Sequence, residues 1–188
     1  MAKIKLYLVV GGESTGTKFT TMLLTEAGVF GDPENETQRM NKLVADKKFD
    51  EIIYPAVWKR SCPAGPVWWK FYDMIGPLLE NGLDIDDVLV IVTTRDWYCA
   101  ACSAVNRGHS KTFEDAMDKL SRAYQRIFNE IAKHNMKYKM TSYDILSTGS
   151  EKALASFYEQ MDMLADKRTI EKVISKTKNQ NLKHLGMT

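Results

Sequence analysis

The apolar run IKLYLVV, residues 4–10, passes without a break into GGESTGTKFTTMLL, Gly11 to Leu24. A short β-branched run reads as a buried strand. Thr17 to Ala27 reads as a helix, with Phe19, Met22, Leu23 and Ala27 on one face and Gly28 as its stop. A strand that enters a helix through a glycine-rich turn commits a chain to an α/β layer and equips the turn to hold an anion. Gly11, Gly12 and Gly16 let the backbone fold back and aim N–H groups inward. The amino end of the helix adds partial positive charge, and the hydroxyls of Ser14, Thr15 and Thr17 are further donors. The nucleoside-triphosphate pattern G-x-x-x-x-G-K-[ST] requires Lys at position 17; Thr17 stands there and Lys18 comes one place late.

The rest of the chain extends the same pattern. DDVLVIVTT, residues 86–94, is the strongest strand signal; EIIYPAV, 51–57, reads as a strand truncated by Pro55, and MKYKMTSYD, 136–144, as a fourth. Helices are expected over 67–79, 96–107, 112–134 and 150–164, the third carrying Phe113, Met117, Leu120, Tyr124, Ile127 and Ile131 on one face. The polar stretch 31–48 reads as a turn at Asp32-Pro33 with a short helix after it, and Lys59 to Asp73 begins as an ordered loop. From Lys167 the basic tail reads as a helical stretch and then an irregular end, KNQNLKHLGMT.

Strands alternating with helices pair in parallel through crossovers. The expectation is one domain over 1–188, a three-layer α/β/α fold with a central parallel sheet, P-loop nucleotide-hydrolase-like. Ligands of such sheets sit at the carboxyl ends of the strands. That rule brings Gly11 to Lys18, Lys59 to Pro63 and Thr94 to Ser103 to one edge.

Composition narrows the function classes. With 44% hydrophobic and 27% charged residues the chain is ordinary globular material, and a formal charge of +2 gives no ground for a nucleic-acid partner. No stretch approaches a membrane span. Three cysteines, an odd number without a secretory leader, point to a reducing, cytoplasmic setting; the CAAC pair falls within a helix. The three histidines are scattered, and no metal site is expected.

A second anion site follows the best strand. Arg95 comes off its end, and Ser103 lies eight residues on, two turns along the next helix. A guanidinium fork with a nearby hydroxyl suits a second phosphate group. Here the chain resembles the sulfotransferase family, which moves a sulfuryl group from 3′-phosphoadenosine-5′-phosphosulfate (PAPS) to a hydroxyl or amine. STGTKF, Ser14 to Phe19, occupies the place of the family's K-S-G-T-T-W loop, and Arg95 and Ser103 reproduce its Arg-to-Ser spacing. KRSCP, Lys59 to Pro63, stands where cytosolic members carry K-T-H-L-P; SYDIL, Ser142 to Leu146, fits the place of Y-E-D-L.

The resemblance implies that Gly12, Ser14, Thr15, Gly16, Thr17, Lys18 and Phe19 bind the phosphosulfate, that Arg95 and Ser103 bind the 3′-phosphate, and that Lys18 and Lys59 are catalytic. The acceptor is expected to be a small molecule or carbohydrate, with Trp58, Trp68 and Trp69 in the region bordering its pocket and at least one of them packed in the core; the basic tail, which in relatives closes over the 3′-phosphate, reads here as a solvated helix end. Two positions depart from the pattern. Ser14 replaces a family lysine whose charge Lys18 would supply from the same helical face, and Ser61 replaces the base histidine, leaving Glu13, Asp73, Asp96 and His109 as candidates. Two alternatives stay open: a small P-loop kinase using ATP and Mg²⁺, and a non-catalytic nucleotide-binding relative.

Overall fold

The computed structural model describes residues 4–31, 38–63 and 70–184, and side chains up to 177 apart from that of residue 38. Four strands form one sheet: β1 (Leu6–Gly11), β2 (Ala56–Ser61), β3 (Val88–Thr94) and β4 (Lys137–Ser142). Their order is β2-β1-β3-β4, and every pairing is parallel. The two central strands are buried on both faces, as near-continuous apolar runs require.

The alternation along β1 and β3 divides the interior into two cores. Leu6, Leu8, Val10, Val88, Val90 and Val92 face one way; Tyr7, Val9, Leu89 and Ile91 face the other. Handedness decides which helices cover which face. α1 (Thr17–Glu26) carries the chain from β1 outward to β2, whereas α3 (Phe71–Glu80) brings it back across to β3. Right-handed crossovers in opposite senses put the two helices on opposite faces. The first core accordingly packs against α2 (Gln38–Ala45), α3, α4 (Trp97–Asn106) and α5 (Phe113–Lys133). The second packs against α1, α7 (Glu151–Gln160) and α8 (Lys167–His184). The expected three-layer α/β/α architecture with a parallel sheet is what the chain forms. Among the described residues no helix is long and apolar enough to cross a membrane.

Local signals account for the element ends. The side chains of Asp96, Thr112 and Ser150 accept the backbone N–H groups of Cys99, Asp115 and Ala153, capping α4, α5 and α7. Gly28 follows α1 at φ 87°, as the stop signal predicts. The CAAC pair lies within α4, and all three cysteines are free. The short α6 (Tyr143–Leu146) forms at SYDIL, where Ser142 Oγ accepts from Ile145 N.

Three expectations need correction. Where EIIYPAV predicts a strand, Phe49–Glu51 makes a single 3-10 turn and β2 starts only at Ala56, after Pro55. Phe30 then covers the outer edge of β2, donating to the carbonyl of Pro55 and accepting from Val57 N. At its other end β2 runs on through Lys59, Arg60 and Ser61, which are strand and not loop. The tail does not turn irregular at Lys178, because α8 continues to His184. Ile170 and Val173 anchor it in the second core, and Glu26 of α1 sits between Lys172 Nζ at 2.6 Å and Lys176 Nζ at 2.5 Å. The helix expected from Val67 is described from Phe71, and Val67, Trp68 and Trp69 lie outside the described residues.

Candidate nucleotide site

The order β2-β1-β3-β4 reverses at β1, since β1 leads out to one side and β3 lies on the other. The glycine-rich turn, residues 11–16, leaves the carboxyl end of β1 at this switch point, the place where open α/β sheets take ligands. Close packing dictates two of its glycines. A Cβ on Gly11 would stand 2.2 Å from Thr93 Oγ1, and one on Gly16 would stand 2.6 Å from the Tyr143 ring; Gly16 also has φ 95°. Gly12 packs against Leu120 and Ala123 of α5.

Buried threonines hold the turn in shape. Thr15 Oγ1 donates to the Gly12 carbonyl at 2.8 Å and lies 3.0 Å from Thr93 Oγ1, while Thr93 Oγ1 donates to the Val10 carbonyl. Tyr124 Oη of α5 donates to the Thr93 carbonyl at 2.7 Å, and burial pushes that phenol up to about 12. The Thr15 hydroxyl, expected to meet phosphate, is therefore committed to the protein, and the residue is 1% exposed. Thr17 is buried at the start of α1 with its hydroxyl 3.5 Å from Ser61 Oγ of β2. Gly16 caps α1 and offers no side-chain acceptor to the N–H groups of the first turn.

Arg95 reaches this turn from the end of β3. Its Nη1 donates to the Ser14 carbonyl at 3.3 Å, its Nε lies 3.7 Å from Asp144 Oδ1, and its guanidinium carbon is 4.9 Å from the centre of the Tyr143 ring. Two donors here are buried without a hydrogen-bond acceptor, Ser14 Oγ and Arg95 Nε. Ser14 itself adopts φ 65°. Orphaned donors at a glycine-rich turn are groups that a phosphate oxygen would satisfy. Ser103 is half-buried on the second turn of α4, and Arg95 is the member of the pair that touches the loop.

The other flank is cationic. Lys18 is exposed on the first turn of α1, and Lys59 is half-buried on β2 beside Val9. The Lys59 ammonium is held below the usual lysine range, chiefly by burial and then by the charge of Lys18, with Glu13 opposing both. Arg107, His109, Lys59 and Lys119 all act electrostatically on Glu13.

Several predicted roles do not fit. Phe19 is 5% exposed and meets Tyr143 edge-on, so it is a core residue with only a rim at the turn. Trp58 does not border a pocket: it is 3% exposed and its indole N–H donates to Asn41 Oδ1 at 2.8 Å. Trp68 and Trp69 fall outside the described residues. Among the described residues no group of three His, Cys, Asp or Glu could hold a metal ion. Tyr143 and Asp144, the partners of Arg95, were singled out in sequence only as part of SYDIL; nothing there announced their contact with residue 95.

Compared by sequence, the chain matches no family description and no curated protein. Compared by structure, it is similar to mouse sulfotransferase SULT7A1 complexed with PAP, with a TM-score of 0.57 at 10% identity over 93% of this chain and 63% of that one. It is similar also to retinol dehydratase in a complex with retinol and PAP, with a TM-score of 0.52 at 12% identity over 92% and 64% of the two chains. The chain thus spans under two thirds of the length of these structures. Its fold is that of the sulfotransferases.

Proposed function

We propose that the chain transfers the sulfuryl group of PAPS to a hydroxyl or amine of a small-molecule or carbohydrate acceptor. The carrying observation is the convergence of two stretches separated by some eighty residues: the guanidinium of Arg95 lies against the carbonyl of Ser14 inside the glycine turn. One nucleotide with phosphate at both its 3′ and 5′ positions can then touch both. That both solved neighbours hold PAP (adenosine 3′,5′-bisphosphate), the product PAPS leaves behind, supports the same reading.

PAPS supplies an activated sulfuryl group with a phosphate oxygen as its leaving atom. The chain's part is to bind and to place charge. The first-turn N–H groups of α1 and the Ser14 hydroxyl bind the 5′ end, Arg95 with Ser103 binds the 3′-phosphate, and Lys18 and Lys59 stabilise charge on the departing oxygen. The burial that holds Lys59 below the usual lysine range also leaves its ammonium poorly solvated, which strengthens its pull on an oxyanion.

One observation favours a second reading, a nucleotide-binding relative without catalysis. Ser61, in the place of the family's base histidine, faces Thr17 Oγ1 and has no basic nitrogen. Thermal shift separates these readings from the ATP-using kinase. PAP is expected to raise the melting temperature without Mg²⁺ and more than ATP with Mg²⁺, since a ligand held by the folded state stabilises it by mass action. Absence of a shift with PAP refutes both nucleotide readings, and transfer of labelled sulfate from PAPS across a panel of hydroxyl and amine acceptors decides between them.

A further inference from the structure

The proposed chemistry leaves one pair of reactive side chains unused, the two cysteines of CAAC in α4. Ala100, Ala101 and Ala104 form the buried stripe of this helix. Cys99 is exposed and Cys102 half-buried on the opposite stripe, and both are free thiols. Positions three apart on a helix are neighbours, with Cβ atoms about 5–6 Å from each other. A disulfide needs about 3.5–4.5 Å, so the pair closes only when the first turn of α4 tightens by about 1–2 Å. A bond made in this way is strained and readily reduced, which suits a reversible site and not a structural staple. The third cysteine takes no part: Cys62 is 1% exposed, and burial pushes its thiol up to about 11.

The contacts of this turn lead to the nucleotide site. Asp96 Oδ1 accepts from Cys99 N at 2.9 Å. The N–H of the same Asp96 donates to Asp144 Oδ2 at 2.6 Å, and Asp144 Oδ1 lies 3.7 Å from Arg95 Nε. Arg95 in turn donates to the Ser14 carbonyl of the glycine turn at 3.3 Å. A displacement at Cys99 therefore has a continuous route to the guanidinium. Ser103 stands four residues after Cys99, on the same side of the helix.

Resting on the reading of Arg95 and Ser103 as holders of a 3′-phosphate, we propose that Cys99 and Cys102 form an oxidation site for low-molecular-weight disulfides, whose closure draws Arg95 away from the nucleotide. The Cys99 thiolate attacks one sulfur of the reagent; the bond between the reagent's sulfurs breaks and one thiolate leaves. The Cys102 thiolate then attacks the Cys99 sulfur, forming the intrahelical bond and expelling the second thiolate. The protein gives up two electrons and two thiol protons, and the reagent gains them as it becomes two thiols. Asp96 sets the pace. Its hydrogen bond, then burial and its charge, hold the Cys99 thiol above the usual cysteine range. Oxidation is therefore slow at neutral pH and quickens as pH rises and the thiolate forms.

The test treats the full chain and its Cys99→Ser, Cys102→Ser and Asp96→Asn variants with glutathione disulfide at pH 8. After the remaining thiols are alkylated, peptide mass mapping should find a bond between residues 99 and 102 in the wild type and glutathione retained on Cys99 in Cys102→Ser. Asp96→Asn keeps a capping side chain and removes the charge, so it should oxidise severalfold faster than the wild type at pH 7. PAP titration calorimetry reads the coupling. The oxidised wild type should bind PAP about tenfold more weakly than the reduced form, the scale of one lost charged hydrogen bond, with recovery on reduction and no response in Cys99→Ser. Absence of the 99–102 bond, or PAP affinities within twofold in the two states, overturns the proposal while leaving the nucleotide site standing. Failure of the reduced wild type to bind PAP overturns the nucleotide reading and the coupling with it, and mass mapping alone then decides whether the oxidation site exists.

Discussion

Replacing Arg95 by alanine separates the contact that the structure shows for this side chain from the 3′-phosphate role proposed for it. Through Nη1 it donates to the neutral carbonyl of Ser14 at 3.3 Å, which shapes the turn for any ligand that uses it. A net contribution of about 0.5–1.5 kcal/mol for such a bond corresponds to roughly a 2- to 12-fold loss, shared by 5′-AMP and PAP alike. Only PAP presents a 3′-phosphate to the guanidinium. A charged hydrogen bond contributes about 1.5–3 kcal/mol, and the lower part of that range applies because the side chain is 24% exposed and screened by water. The extra loss for PAP is then about 1.5–2 kcal/mol, roughly 12- to 30-fold. Asp144 adds to it, since its carboxylate is left without a cationic neighbour beside an incoming phosphate. Calorimetric titration of both nucleotides at one ionic strength measures the two losses. Asp144→Asn serves as the converse and should tighten PAP severalfold with little effect on 5′-AMP. An equal loss for the two nucleotides on Arg95→Ala would refute the 3′-phosphate role.

Other expectations follow from packing and charge. Gly16→Ala places a methyl 2.6 Å from the Tyr143 ring at φ 95°; strain and crowding together should cost about 3 kcal/mol, or roughly 6–12 °C in melting temperature, read by calorimetry. Burial pushes the Glu26 carboxyl up, but the ammonium groups of Lys172 and Lys176 outweigh it and leave it below its ordinary value. Its contribution to stability is therefore present above the unfolded carboxylate range and lost as pH falls through the folded value, so urea midpoints measured from pH 7 to 3 should fall less steeply for Glu26→Gln than for the wild type. Trp58→Phe should cost about 2–4 kcal/mol, because the Asn41 side chain loses its donor and the smaller ring leaves space in the core; unchanged stability would show that neither the bond nor the packing contributes.

The elements that were legible in sequence are those whose pattern is local. β1, β3 and α5 announce themselves by apolar runs or a sustained helical stripe, and the turn at 11–16 by glycines between a strand and a helix. β2 was misjudged because Ile52 and Ile53 continue an apolar run that the backbone abandons before Pro55. The end of α8 was misjudged because its polar residues show no stripe, while its anchor, Glu26, lies about 150 residues away. The site was half legible. Gly16 and Arg95 could be named from spacing, but Thr15 and Phe19 were read as facing a ligand when the first is hydrogen-bonded to Thr93 and the second is packed on Tyr143. The groups that act on Glu13 were beyond reach, since they come from parts of the chain far from it in sequence.

The threonine pair beneath the turn, Thr15 with Thr93, has a bearing on how tightly a small ligand can be held. Because the protein's own hydroxyls and the Tyr124 phenol already brace that curve against β3, its conformational freedom is given up when the chain folds and not when a nucleotide arrives. A guest meets a rigid cradle whose entropy cost has been met beforehand, so modest numbers of contacts suffice for firm capture.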